Sequence, residues 1–365
     1  MDLKKIFVKN ACPTKIGGQA ILEGLMMKGP ELLSIAIRKP SGEIHLSVEP
    51  LKAAGKWKKI PILRGVAVFL SSLIQGTGIL LYSAEILEEF TDAEGKPLYE
   101  KDKTTIWLEK HLGEKGALNV MLYLSVILAV VLTVGVFIIL PTWLINGAKS
   151  WGGIQSDIVL NLLEGAVRIA MFIVYVRLIS GMQDIKKVLQ YHGAEHKTIH
   201  CYESGLELTP ENAQTFYTLH PRCGTSFLMF VMVISLLVFS LLGWPNLAAR
   251  ILSRLLLIPL IAGLSYELLQ FTGRHEGPLV RFLSMPGIAL QKLTTKEPGM
   301  DQLEVAIAAM KAVMPRQERE KYPAMDGIQP GRYWVGVLDK EGCLHKDEGA
   351  TEAYRKRKKA TGEDR

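Results

Sequence analysis

From Leu118 to Ile145 the chain carries no charged side chain. A stretch that long and that apolar can satisfy its backbone groups in lipid only as a helix, so it reads as a membrane crossing. Residues 158–179, 226–242 and 248–271 are also predominantly apolar and read as three more. Residues 61–83 are long enough to span. Ser71, Ser72, Gln75, Gly76, Thr77 and Gly78 within them suit a helix that dips into the bilayer or lies along it. Positive mean hydropathy over 365 residues agrees with a membrane domain.

Residues 33–38 and 43–48 alternate apolar and polar side chains around Pro40-Ser41-Gly42, as a β-hairpin does. The expected fold is therefore an all-α polytopic membrane protein, with four transmembrane helices, one re-entrant or interfacial helix and a small N-terminal β-hairpin. Its divisions are residues 1–59 (glycine-rich motif and hairpin), 60–293 (membrane domain) and 294–314 (amphipathic helix). Residues 315–365 read as a loosely ordered basic tail with a short strand pair near 333–338. His45 and His111 read as surface residues.

Net charge is +7. Lys52, Lys56, Lys58, Lys59 and Arg64 precede the first apolar run, and anionic lipid is their expected partner. Nucleic acid is not expected, because no interleaved aromatics or nucleic-acid module accompany the basic residues. Cys12, Cys201, Cys223 and Cys343 are scattered, unlike a disulfide framework. The first long apolar run begins only near Ile60, so no signal peptide is expected. Lys and Arg are abundant in residues 85–116, 181–225 and the C-terminal region, but sparse in the turns near Trp151 and Pro245. That places the first set, and both termini, in the cytosol. Four spans fit this charge pattern better than five. Glu164 and Arg168, four residues apart within a span, are spaced to pair, as a structural ion pair or a functional relay.

The chemistry concentrates in residues 181–225. Three of the eight histidines and one of the four cysteines fall within residues 191–203. Read as a helix, this segment puts His192 and His196 on one apolar face, one turn apart. Two imidazoles so placed can hold one divalent ion, with Glu195 beside them as general base. The alternative is that both histidines hydrogen-bond carboxylates and tie the loop together. His220 and Cys223 would complete a closed His3Cys set, which is structural. Glu267, at the end of a span on the same side, would instead leave an open position for water. Weaker candidates are His200 (a supporting donor or exposed), Arg222 (a carboxylate or phosphate contact, or a surface residue), Glu23 and His275. Cys201 reads as a small buried residue, and Thr225 and Ser226 as helix caps. The run 17–30 lacks the ending of a phosphate loop and reads as a glycine-rich packing loop.

Residues 17–30, 191–203, 220–227 and 297–309 together resemble the YqhQ-like family of bacterial multi-pass membrane proteins, over nearly all of residues 11–313. The resemblance implies a bacterial cell membrane location and metal dependence, and no established substrate. The expected function is metal-assisted hydrolysis near the inner membrane face, with zinc as the first choice of ion. The alternative is a non-catalytic assembly or transport factor with a structural zinc site.

Overall fold

The computed structural model describes residues 14–51, 60–88, 103–153, 155–275, 277–325 and 327–360. Cys12 and the basic cluster from Lys52 to Lys59 lie outside them. The chain is mostly helical, but its polar part is built on a six-stranded antiparallel sheet in sequential order, a larger element than the expected hairpin. The strands are β1 (Gly17–Ile21), β2 (Gly24–Lys28), β3 (Leu32–Arg38), β4 (Ile44–Pro50), β5 (Trp334–Leu338) and β6 (Leu344–Lys346). The glycine-rich run is thus itself a hairpin, turning tightly at Leu22-Glu23, with Ile21 opposite Gly24 and Glu23 at a positive φ of 49°.

Strand β3 shows why the sheet is larger than expected. Both sets of its alternating side chains are buried: Leu32 and Ala36 on one face, Leu33, Ile35 and Ile37 on the other. A strand buried on both faces needs cover on both. One cover is α5 (Gln183–Glu203) with α10 (Met300–Val313), through Tyr191, Ala194, Ile199, Leu303 and Met310. The other is α1 (Leu63–Glu88), through Ile79, Tyr82, Ile86 and Leu87, with Tyr354 of α11 (Glu348–Ala360). Each fully buried aliphatic side chain here contributes about 1.5–3 kcal/mol. The tail, expected to be loose, is therefore drawn into the fold: β5 pairs with β4 from Ile44↔Leu338 to Val48↔Trp334. His45, expected on the surface, contacts Ser47 Oγ at 2.9 Å and Tyr82 OH at 3.3 Å.

Four helical stretches are long and apolar enough to cross a membrane: Leu63–Leu87, Tyr123–Ser150, Asp157–Ile179 and Ala248–Arg274. This set differs from the expected one. Helix α1 belongs to it by length, whereas α7 (Thr225–Ser240), at 16 residues, is about 24 Å long and shorter than a hydrocarbon core. The second stretch joins α2 (Lys103–Val134) to α3 (Leu140–Gly152) through a π-helical turn at Gly135–Ile139. Leu124, Val126, Ile127, Leu128, Val130, Val131 and Leu132 on it are all exposed, as expected of a lipid-facing helix. Pro141 explains the π-turn, because proline removes the N–H that would bond to the carbonyl of residue 137. Arg168 on α4 (Asp157–Ile179) donates its Nε to that Phe137 carbonyl at 2.8 Å. Arg168 Nη2 meets Glu164 Oε1 at 2.8 Å, so the i,i+4 pair is made.

Candidate metal centre

Helix α5 runs over β1 and β2 with its apolar face down, which brings residues 192–200 to the junction of sheet and membrane helices. Gly193 is required there, since a Cβ would stand 2.0 Å from the Lys296 carbonyl oxygen. The segment after α9 (Pro278–Thr294) can therefore lie directly on the helix. That approach supplies a carbonyl: His192 Nδ1 donates to Thr294 O at 2.7 Å. His196 Nδ1 donates likewise to Thr218 O at 2.5 Å. With both Nδ1 atoms bonded to backbone carbonyls, each ring turns Nε2 inward. This is how histidine ligands are commonly oriented. His196 Nε2 is buried without a hydrogen-bond partner among the described residues.

The third group is Cys223, from the loop before α7. One ligand atom each from His192, His196 and Cys223 lies within 4.8 Å of the other two. Cys223 Sγ is 3.2 Å from His192 Nε2 and accepts the Thr225 N–H at 3.4 Å. Burial opposes ionisation of Cys223, but His196 and His192 beside it outweigh burial and hold the thiol well below its usual range. Burial likewise opposes a charge on His192, yet the adjacent Cys223 raises that imidazole to about 9. His192 Nε2 and Cys223 Sγ thus share a proton across 3.2 Å, one that a metal would displace. Soft sulfur with two imidazoles fits Zn2+ well.

Glu195 is buried beside the trio and outside the set of converging ligand atoms. Its Oε1 accepts the Gly18 N–H at 2.8 Å, while Oε2 is buried without a hydrogen-bond partner among the described residues. Burial pushes its pKa up, against the pull of His192 and His196. Gly18 is required for this contact, because a Cβ there would stand 2.5 Å from Met26 O and 3.0 Å from Glu195 Cδ.

The other candidates fall outside the converging set. The His220 ring is 5.6 Å from His196 between centroids and lines the same cavity; its Nε2 is buried without a hydrogen-bond partner among the described residues but lies outside the converging ligand atoms. Its Nδ1 accepts the Arg222 N–H at 3.3 Å and its Nε2 looks toward Glu203 Oε2 at 3.6 Å. Gln291 clamps its backbone, accepting His220 N–H at 2.8 Å and donating to His220 O at 2.9 Å. Burial keeps His220 well below the usual imidazole range and lowers His200 to about 3. His200 donates Nε2 to Leu219 O at 2.9 Å and packs against His220 and Phe216. Arg222 pairs with Glu203. Glu267 on α8 (Leu247–Arg274) accepts from Arg64 Nε at 2.7 Å and from Ile62 N at 3.2 Å, so it is committed to the start of α1. Glu23 pairs with Lys187 at 2.6 Å, and His275 is exposed on the end of α8. Burial raises the Cys201 thiol to about 11, which leaves it a packing residue.

The cluster opens into a cavity of about 820 Å³. Its far wall is Ser72, Gln75 and Gly76 of α1, with Gln270 of α8. The polar stripe of an otherwise apolar helix thus faces the site. Sequence reasoning missed Gly18, Gln291 and the Thr218 and Thr294 carbonyls. The adjacent glycines at 17 and 18 were a signal for the first; a backbone carbonyl leaves none.

The sequence profile of a family described as "Protein of unknown function (DUF1385)" matches residues 60–316. The chain belongs to that family. It is 34% identical over 312 residues to the uncharacterized protein YqhQ of Bacillus subtilis (strain 168), an alignment covering 84% of this chain and 94% of the relative. No solved structure matches. The family match includes α5 and the His220–Cys223 loop and ends near the start of the tail; β1 to β4 precede it.

Proposed function

We propose that the protein is a metal-dependent hydrolase acting at the inner face of the cell membrane, with His192, His196 and Cys223 as zinc ligands and Glu195 as general base. One observation carries the reading: two imidazoles locked through Nδ1 converge on one cysteine, and a buried, unpartnered carboxylate oxygen stands alongside. Three protein ligands leave a coordination position open, which favours catalysis over a closed structural site. When bound there, the ion supplies Lewis acidity toward water and toward a carbonyl or phosphoryl oxygen. Glu195 Oε2 takes a proton from water in the cavity and returns it to the leaving group. The Gly18 N–H keeps Oε1 in place meanwhile. The upward push of burial brings the carboxyl nearer the working pH of a general base.

The membrane arrangement supports the same reading. Strands from both ends of the chain share a sheet with α5 packed on it, so N-terminal, site and C-terminal parts lie on one side. The turns at 153–156 and 241–246 carry no Lys or Arg, which makes them the outer ones. Helix α1 begins against the middle of α8, where Gly65 lies on Gly263 and Tyr266, and ends on the sheet. We read it as dipping in without crossing, with α7 as the fourth span, its short length met by local thinning of the bilayer.

The test is Glu195→Gln in a cell lacking the native gene, with metal content measured on the purified protein. The expected result is lost complementation with metal retained. A variant that complements fully and binds metal normally would refute the hydrolase. The rival reading is a four-ligand structural site. It needs His220 to turn away from Glu203, and it predicts that function follows His220 rather than Glu195.

A further inference from the structure

The end of the helix bundle away from the histidine–cysteine cluster, the outer end in the topology proposed above, holds a second polar cluster, which the proposed chemistry does not use. Glu164 on α4 is buried, with both carboxylate oxygens engaged. Arg254 of α8 grips them at 2.5 and 2.8 Å, and Arg168 and Thr142 each add a bond at 2.8 Å. Arg250, one turn earlier on α8, is only 5% exposed and meets this carboxylate only as a long ion pair, without a hydrogen bond. Its Nη1 stands 3.9 Å from Glu164 Oε2, beyond hydrogen-bond reach. Its Nη2 donates to Pro245 O at 3.0 Å, while Nε and Nη1 have no acceptor among the described residues. The guanidinium is stacked on the Trp244 ring, 3.6 Å from its centroid.

Three guanidinium groups thus surround one buried carboxylate. Asp157, at the rim, already accepts the Trp244 N–H at 3.0 Å, and counting it still leaves an excess of positive charge. Uncompensated charge and unpaired donors are both costly in an apolar layer. The depth of the cluster indicates which anion would relieve them. Arg250 lies in the first turn of α8, about 5 Å from its start, beside a tryptophan of the interfacial kind. Lipid phosphates sit at that level. Exposed Leu252 and Leu256 on the same helix offer acyl chains a surface.

We propose that Arg250, fixed by Trp244 and backed by Arg254, binds the phosphate group of a phospholipid in the leaflet opposite the histidine–cysteine cluster. Arginine suits this role because its fork of N–H donors matches phosphate oxygens while its face stacks on an aromatic ring.

The test uses the purified full chain in mild detergent, with native mass spectrometry and thermal unfolding. The probes are phosphatidylglycerol, diacylglycerol with the same acyl chains, and inorganic phosphate. Phosphatidylglycerol should be retained at one copy per chain and raise the unfolding temperature. Diacylglycerol and inorganic phosphate at equal concentration should do neither. Arg250→Gln should weaken phosphatidylglycerol retention about tenfold or more. Equal retention of diacylglycerol, or of phosphatidylglycerol by Arg250→Gln, would overturn the site. Stabilisation by inorganic phosphate equal to that by the lipid would overturn the lipid as its source. Should Arg250→Gln fail to fold, the probe series on the unaltered protein decides the matter by itself.

Discussion

Gly18→Ala links the glycine-rich hairpin to the chemistry, and the neighbouring Gly17→Ala is its built-in control. A Cβ at position 17 meets nothing within 4 Å, whereas one at position 18 lands 2.5 Å from Met26 O and 3.1 Å from Glu195 Oε1. Met26 O belongs to the adjoining strand, where Gly18 is paired with Met27, so it cannot swing aside as a side-chain end would. Relief must come from moving β1 or Glu195. Overpacking of this kind costs about 1–3 kcal/mol. Gly17→Ala should be neutral or stabilise by about 0.4–1 kcal/mol, through the entropy of the unfolded chain. Melting of both variants in detergent measures the difference, and complementation measures its effect on function. Gly18→Ala should melt lower and lose function, because the 2.8 Å bond from Gly18 N–H to Glu195 cannot survive the shift. If the two variants melt and complement alike, the claim that this strand positions Glu195 is wrong.

His196→Ala should lower zinc affinity by more than about 100-fold, whereas His220→Ala, outside the converging atoms, should cost no more than the 10–100-fold typical of supporting residues; competition with a chelator gives both values. Burial lowers His45 to about 4 from the ordinary 6.5, so the folded state resists protonating it. Its contribution is fully present above pH 6.5 and is lost as pH falls toward about 4, on the order of 3 kcal/mol in all; His45→Gln should flatten that part of the stability–pH curve. Arg168→Met should cost about 1–3 kcal/mol, because it orphans the Phe137 carbonyl; adding Pro141→Ala, which restores an N–H for that carbonyl, should recover part of the loss in a double-mutant cycle read by denaturant unfolding.

Local pattern alone carried much of this protein. Apolar runs of 20 residues or so admit few conformations in lipid, so the helices at 123–150, 157–179 and 248–274 were legible to within a few residues. The spacing of His192 and His196 was legible for a similar reason: a helix places residues four apart on one face whatever surrounds it. The Glu164–Arg168 pair followed from the same geometry. What lay beyond local pattern required contacts between distant segments. Gly18 looked like a loop residue because the Glu195 carboxylate that crowds it lies far away in sequence. The strand pair near 333–338 was legible, but the tail around it looked loose because β4 and the two cores that receive Trp334 and Val335 lie far away in sequence. Glu267 looked like a ligand because its helix ends on the right side of the membrane, and only packing showed Arg64 taking its charge. Which side chain joins the His192–His196 pair was likewise a tertiary matter. His220 and Cys223 leave the same short loop; Gln291 bonds fix the backbone of the histidine, whose ring nitrogens stay outside the converging set, while the cysteine meets His192. Convergence of side chains is a matter of a few ångströms and of ring orientation, and the Thr218 and Thr294 carbonyls, from other parts of the chain, orient both imidazoles.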